Sequence, residues 1–325
     1  MSNHVKISLL GFSNPRPPKS YTSGDFKTYA DTIMKLFKKN IDNVLPDSPD
    51  LIVFPECSNR FAIAEGQLFE DAIQERIEFY RYAKDYFIDY MREVARNNNV
   101  NIAYSAVRPS YTDENKFFNS ITYIDRNGET AGVYDKCYPV MKEHKNGLVQ
   151  YGKSPELIQL DFGKVASAIC FDLNFDDLLN TYKAQDPDLI VFSSAYHGGI
   201  RQSHWAYSCR SYFAGCVSEG GPSAILNPFG EIVAKETNYH AFTTADINLD
   251  YELCHLDLNW TKIIQAKKKY KSALQVYDPG HVGVVMLSCE DKDMTIKDII
   301  KEFDIMLLDD YFNATIEHRK TFIQP

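Results

Sequence analysis

Short unbroken apolar runs alternate along this chain with longer stretches in which apolar residues return every three or four positions. Runs closed by Pro or Gly mark strands buried on both faces, and the three-to-four spacing marks a helix with one buried stripe. Residues 6–12 and 50–54 therefore read as strands, the second closed by Pro55. Residues 26–43 read as a helix with its stripe at Tyr29, Ile33, Leu36 and Phe37. A long helix is expected over 66–98, carrying Phe79, Tyr82, Tyr86 and Tyr90, and a strand over 101–107. Strands at 119–125 and 130–135 flank Asn127-Gly128, a dipeptide that tolerates the positive φ of a tight hairpin. Residues 157–162 and 165–171 form a further pair turning at Gly163.

In the second half, Asn174 is placed to cap a helix reaching Gln185, with Asp176 and Asp177 set against its N-terminal dipole. A strand at 188–193, a helix over 203–217, a hairpin of 223–227 with 231–235 around Pro228-Phe229-Gly230, and a strand at 241–247 follow. Strands that alternate with helices early and pair as hairpins later predict an α/β fold, a mixed sheet covered by helices. After Asp250 the pattern changes to a basic amphipathic helix at 260–271, a strand at 282–288 and a helix at 295–303 opening on Thr295. The expected organisation is a main domain of residues 1–250 and a C-terminal extension, 251–325, packing on the core or on a second subunit.

Composition narrows the class. At 325 residues, 44% of them hydrophobic, the chain can bury a large single α/β core. A net charge of −9 leaves no electrostatic footprint for nucleic acid. Lys267, Lys268, Lys269 and Lys271 read as a solvated helix face. No apolar run approaches the ~18 residues of a membrane span, and Met1-Ser-Asn-His-Val does not open like a secretory signal. Seven cysteines without framework spacing suggest reduced thiols and a cytoplasmic location.

Three strings then carry the chemistry: Leu51-Ile-Val-Phe-Pro-Glu56, Val133-Tyr-Asp-Lys136 and Ala168-Ile-Cys170-Phe-Asp172. Each sets a carboxylate, an amine or a thiol at or just past a strand-like run, so the fold can bring the three together. Cys170 lies at a strand-to-helix elbow, where the following helix dipole is expected to favour thiolate. Taken singly it reads as a buried core cysteine, and the two companion strings turn that reading toward a nucleophile. Glu56, at the end of an apolar run, is either exposed at a sheet edge or held in a pocket where burial raises its pKa, the second suited to taking a proton from a thiol and returning it to an amine. Lys136 would stabilise an oxyanion together with a backbone N–H, that of Phe171.

Over residues 5–250 these strings, in this order, resemble the nitrilase, or carbon–nitrogen hydrolase, superfamily with its Glu–Lys–Cys triad. The resemblance implies a four-layer α-β-β-α sandwich, subunits paired through their helical layers as a homodimer or higher homo-oligomer, and no metal or organic cofactor. It makes Glu56 the general base and acid, Lys136 the oxyanion stabiliser, Cys170 the nucleophile and Glu143 a supporting second glutamate. After the cysteine the family's usual Tyr-Asp-x-Arg-Phe-Pro-Glu is here Phe171-Asp172-Leu173-Asn174-Phe175-Asp176-Asp177. Asp172 and Phe175 match; Asn174, Asp176 and Asp177 depart. Aromatic-Asp after the cysteine resembles the amidase and carbamoylase branches, whereas true nitrilases place Trp-Glu there. His204-Trp205, Arg210 and Gly230 keep family positions. Asn59, Arg60, Tyr138, Asn174, Tyr196 and His197 flank the catalytic strands and are expected to line the substrate pocket.

The expected function is hydrolysis of a non-peptide carbon–nitrogen bond in a small amide or N-carbamoyl substrate, with nitrile hydrolysis by the same triad as the alternative. A different class, a non-catalytic relative or nucleotide binder, is raised by Gly147-Leu-Val-Gln-Tyr-Gly152-Lys153-Ser154, which matches the P-loop expression. A P-loop must follow a buried strand and open a helix. Here a polar segment precedes it and Pro155 and a strand-like run follow, which argues against phosphate binding. His197, His204 and Cys209 lack zinc-like spacing, and no papain-like string surrounds Cys170.

Overall fold

The computed structural model describes residues 2–18, 21–62, 69–145, 149–153, 155–218 and 221–323. The chain divides into two compact units, one of Lys6–Ala245 and one of Met1–Val5 with Asp246–Pro325.

Two six-stranded sheets organise the described residues of the larger unit. Their strands, numbered in chain order, are β1 (His4–Leu10), β2 (Leu51–Val53), β3 (Asn101–Pro109), β4 (Phe117–Ile124) and β5 (Thr130–Asp135) in the first sheet. The second sheet holds β6 (Ile158–Leu160), β7 (Gly163–Ile169), β8 (Leu189–Ser194), β9 (Tyr212–Val217), β10 (Ala224–Leu226) and β11 (Ile232–Lys235). The first is completed by β12 (Phe242–Asn248), giving the orders β12-β1-β2-β3-β4-β5 and β11-β10-β9-β8-β7-β6. β1, β2 and β3 run parallel, as do β7, β8 and β9, while the hairpin neighbours are antiparallel. The sheets face each other: Tyr123 Oη meets Ser167 Oγ at 2.7 Å, and Ser193 Oγ donates to the Phe54 carbonyl at 2.8 Å.

Helices cover the outer faces. α1 (Phe26–Val44), α2 (Phe69–Tyr82) and α3 (Tyr86–Asn98) pack on the first sheet through a cluster that includes Ile33, Phe37, Phe79 and Phe87 against Ile52, Phe54 and Ile102. After the short α4 (Met141–Lys145), α5 (Asp176–Gln185) and α6 (Ile200–Cys209) cover the second sheet through Leu178, Tyr182, Trp205 and Ala206 against Ala166, Ile190 and Phe213. Helix, sheet, sheet and helix make the four-layer α-β-β-α sandwich that the family resemblance implied. Among the described residues no helix is long and apolar enough to cross a membrane.

Three sequence expectations are corrected here. The long helix over 66–98 is two helices, α2 and α3, broken between Tyr82 and Tyr86; residues 66–68 lie outside the described residues. The break lets Phe79 and Phe87 both enter the core, their rings 6.5 Å apart. The helix over 203–217 is α6 followed by strand β9. Arg210 turns left-handed at φ 58° and ends the helix, and the apolar run Tyr212–Val217 is then buried between β8 and β10. Its lack of alternation reflects burial on both faces. The third concerns the extension, described next.

The smaller unit has its own sheet, order β13-β15-β14, from β13 (Tyr251–His255), β14 (Leu274–Tyr277) and β15 (Val284–Cys289). Helices α7 (Trp260–Tyr270), α8 (Ile296–Glu302) and α9 (Leu308–Phe322) accompany it. Cys254, Ile263, Leu274, Val285, Leu287, Ile296, Ile299 and Ile305 form a core of their own. The extension thus has a core of its own, where the pattern predicts a segment packing on the main domain or on a second subunit. Thr295 caps α8 as expected: its Oγ1 accepts from Asp298 N, and the Asp298 carboxylate accepts from Thr295 N at 2.8 Å. β13, β14 and α9 were not legible in the pattern. The two strands are four or five residues long, and in α9 only Leu308 is buried.

Candidate active site

Four strand ends converge. β2 closes at Val53, and Phe54-Pro55 carry the chain to Glu56, whose side chain is only 3% exposed. The bend is fixed by Phe54 N–H donating to Ala103 O and Ser58 Oγ donating to Pro55 O at 2.6 Å, with Cys57 in the left-handed region. The Glu56 carboxylate accepts from Lys136 Nζ (2.8 Å) and Asn119 Nδ2 (2.8 Å) on Oε1, and from Ala195 N–H (3.0 Å) on Oε2. Burial alone would raise its pKa; the Lys136 ammonium, then Arg60 and Asn119, outweigh burial and hold it below the ordinary value. This reverses the raised pKa expected of a carboxylate held in a pocket. Three donors keep Glu56 ionised.

Lys136 follows β5 directly and is 1% exposed. Its backbone N–H donates to Asn119 O at 2.8 Å, and its ammonium also reaches Glu143 Oε2 at 3.3 Å. Glu143, on α4, is steadied by accepting from Val140 N–H at 2.9 Å. Burial pulls the Lys136 pKa down, but the carboxylates of Glu56 and Glu143 and the neighbouring Cys170 push it above its ordinary value, so the cation is permanent.

Cys170 stands where β7 ends and a 3-10 turn, Cys170–Asn174, begins. Its φ of +48° is a left-handed conformation that non-glycine residues hold only when the surroundings enforce it. Asp172 enforces it: the buried carboxylate accepts from Ile169 N–H (2.8 Å), Tyr138 N–H (2.8 Å) and Tyr134 Oη (2.7 Å). Burial raises the Asp172 pKa to about 6. The Cys170 thiol has the Ser194 hydroxyl and the Glu56 carboxylate as hydrogen-bond neighbours. Burial, then the charge of Glu56, pushes it up to about 11 against the opposing pull of Lys136. The expected dipole-stabilised thiolate is therefore corrected to a neutral thiol beside an ionised carboxylate.

The structure brings Glu56, Lys136, Glu143 and Cys170 together and distributes the expected pocket residues unevenly. Asn59 spends its amide on the backbone of Val107, donating at 2.8 Å and accepting at 2.9 Å, so both of its polar ends are occupied. Asn174 is not the cap of α5, which opens after Phe175 without a side-chain cap; its Nδ2 donates to Phe171 O at 3.0 Å. Tyr138 stacks on Phe175 at 3.8 Å, and Phe175 meets Phe171 edge-on at 5.3 Å, an aromatic ladder running to the residue after the thiol. Arg60 lends positive charge to Glu56. Tyr196 and His197 are exposed just beyond Ala195.

Sequence reasoning missed Asn119 and the Ala195 N–H as partners of Glu56, and the grip of Asp172 on the elbow. Only the family position of Asp172 hinted at it. Of the P-loop look-alike, Gly147, Leu148 and Ser154 lie outside the described residues. Gly152 N–H donates to Lys136 O at 2.8 Å, and a Cβ on Gly152 would come within 2.1 Å of Asp135 O. That glycine serves close backbone approach at the end of β5. Among the described residues no three His, Cys, Asp or Glu side chains converge as metal ligands.

A buried carboxylate–ammonium pair beside a cysteine, at the strand ends of an α-β-β-α sandwich, defines a nitrilase-type protein. The family model for carbon-nitrogen hydrolases matches residues 17–252, and the chain belongs to that family. Among its relatives is a Staphylococcus lugdunensis protein described as a hydrolase in the agr operon, 28% identical over 218 residues, covering 62% of this chain and 88% of the relative. Deaminated glutathione amidase of Dictyostelium discoideum is 22% identical over 241 residues, covering 66% and 81%. Among solved structures, the C. elegans NitFhit protein superposes with a TM-score of 0.63 at 16% identity, covering 84% of this chain and 66% of its own. An amidase from Nesterenkonia sp. superposes with a TM-score of 0.61 at 16% identity, covering 76% and 92%.

Proposed function

We propose that the protein is an amidase-like hydrolase of linear, non-peptide carbon–nitrogen bonds, working through a Cys170 thioester. The observation that carries this is the 2.8 Å Glu56–Lys136 pair, buried on both sides, beside the Cys170 thiol. A thiol titrating near 11 is only about one part in ten thousand thiolate at pH 7. Attack must therefore be coupled to proton transfer, and the ionised Glu56 is the base in place.

As the sulfur bonds to the substrate carbonyl carbon, the thiol proton passes to Glu56 and the C=O electron pair moves onto oxygen. Lys136 Nζ and the Phe171 backbone N–H stabilise that oxyanion. When the oxyanion collapses the C–N bond breaks, the proton on Glu56 goes to the departing amine or ammonia, and a thioester remains. Water then attacks the thioester, giving its proton to Glu56; the sulfur leaves, is reprotonated from Glu56, and the acid departs. Glu143 keeps Lys136 aimed. Of the residues expected to line the pocket, Arg60, Tyr138, Tyr196 and His197 remain the candidates to contact substrate.

Short amides, N-carbamoyl compounds and nitriles, assayed for ammonia release with and without Cys170→Ala, test the reading. Turnover of an amide or carbamoyl compound that vanishes in the variant is expected. Turnover restricted to nitriles would select the alternative, and activity retained by Cys170→Ala would reject the thioester route.

A further inference from the structure

We propose that Asn119 is a positioning residue that aims the Glu56 carboxylate, and that it occupies its place for the chemistry rather than for the fold. The proposal rests on the reading of Glu56 as general base. Asn119 sits on β4 with no exposed surface. Its Nδ2 donates to Glu56 Oε1 at 2.8 Å, while its backbone carbonyl accepts the N–H of Lys136 at 2.8 Å. One residue thus touches both members of the buried ion pair.

Its other polar atom supplies the second argument. Asn119 Oδ1 is buried and finds no hydrogen-bond partner among the described residues. Buried acceptors are almost always paired, and an orphan is costly. A leucine, with the same branched shape but two methyl groups in place of the amide, would remove that cost. The side chain therefore earns nothing from its oxygen, and what distinguishes it from leucine is the donor it offers to Glu56.

That donor favours the charged form of the carboxylate. With Lys136 on the same oxygen and Ala195 N–H on Oε2, it fixes the carboxylate plane and leaves Glu56 a remaining acceptor position beside the Cys170 thiol. It also keeps the protonated intermediate of Glu56 a strong enough acid to release its proton to the leaving amine. Loss of the donor raises the Glu56 pKa and loosens its aim, without removing a contact to substrate.

The test uses Asn119→Leu, with Asn119→Ala as a second variant should leucine not fit. Alkylation of Cys170 by iodoacetamide is followed by mass spectrometry from pH 3.5 to 8, a readout that needs no substrate. The lower acid limb, that of Glu56, should move up by roughly one pH unit, the scale of one hydrogen bond to a charged group, while the limb near 6 set by Asp172 stays in place. On any amide that turns over, kcat should fall roughly 10- to 100-fold with KM within about twofold. The melting temperature of Asn119→Leu should stay within about 5 °C of the wild type, because the lost donor to Glu56 and the removed unpaired oxygen offset each other.

In a Glu56→Gln background the same substitution should add no further loss. An unmoved lower limb and an unchanged kcat would overturn the proposal, as would a fall in kcat matched by lost stability with that limb in place. If Glu56→Gln alone leaves alkylation and turnover unchanged, it is the base assignment that fails.

Discussion

At the scale of residues, the site's character comes from one lopsided contest. Around Glu56 the nearby cation and donors beat burial, and around Cys170 burial and the neighbouring carboxylate beat the cation. Activity should therefore fall in two steps as pH is lowered, first near 6, where Asp172 takes a proton and loosens its grip on the elbow, and again where the proposed base Glu56 passes below its depressed pKa, under the ordinary 4.5. A profile without the lower limb would contradict that order. Thiol labelling gives a second check. Cys170 and Cys137 are the only two of the seven cysteines that are not buried, and both thiols are pushed up to about 11. Of the two, Cys170 has the Glu56 carboxylate as a hydrogen-bond neighbour, whereas Cys137 Sγ donates to Lys153 O at 3.0 Å, so peptide mapping after limited iodoacetamide should find Cys170 modified first, with Cys137 the competitor. Glu56→Gln should remove that preference and lower turnover by roughly 100-fold or more.

At the scale of elements, the elbow and the short strands carry the consequences. Asp172 satisfies three buried donors that hold Cys170 at positive φ. Asp172→Asn, which cannot accept all three, should cost about 2 kcal/mol in denaturant unfolding and abolish turnover together. In the smaller unit, His4 bridges Asp246 and Glu290, each at 2.8 Å, and Asn248 Nδ2 donates to Glu290. Partial burial lowers the His4 pKa, but Glu290 and Asp246 together raise it. A raised folded-state pKa contributes stability that is present below about pH 6.5, the unfolded value, and is lost as pH rises through the folded one. Thermal midpoints measured from pH 5.5 to 8.5 should decline more in the wild type than in His4→Gln. Both imidazole partners are half-exposed, so the difference will be small.

At the scale of the whole molecule, the prediction concerns self-association. α9 leaves Phe312, Ile316 and Phe322 exposed, as is Ile323 just after it, and buries only Leu308, and a helix of 15 residues is marginal in water without a packed face. Together with the family resemblance this predicts a mass by light scattering at least double the 37.2 kDa chain. Truncation after Leu307 should lower it. A monomer mass at micromolar concentration would count against the prediction.

The sequence by itself determined the strand cores, most hairpins, the Thr295 cap and the three strand-end residues, Glu56, Lys136 and Cys170, that the fold brings together. Unbroken apolar runs, the Asn127-Gly128 turn and chemically distinctive side chains at strand ends are local signals, readable where they stand. Only tertiary structure decided that 212–217 is a strand, because its burial comes from neighbours β8 and β10. Only tertiary structure gave the extension a core, because short strands gain stability from pairing. It also set the charge states. The pKa of a side chain depends on what the fold puts within a few ångströms of it, and Asn119 and the Ala195 N–H, far from Glu56 in sequence, reach it only through the sheets.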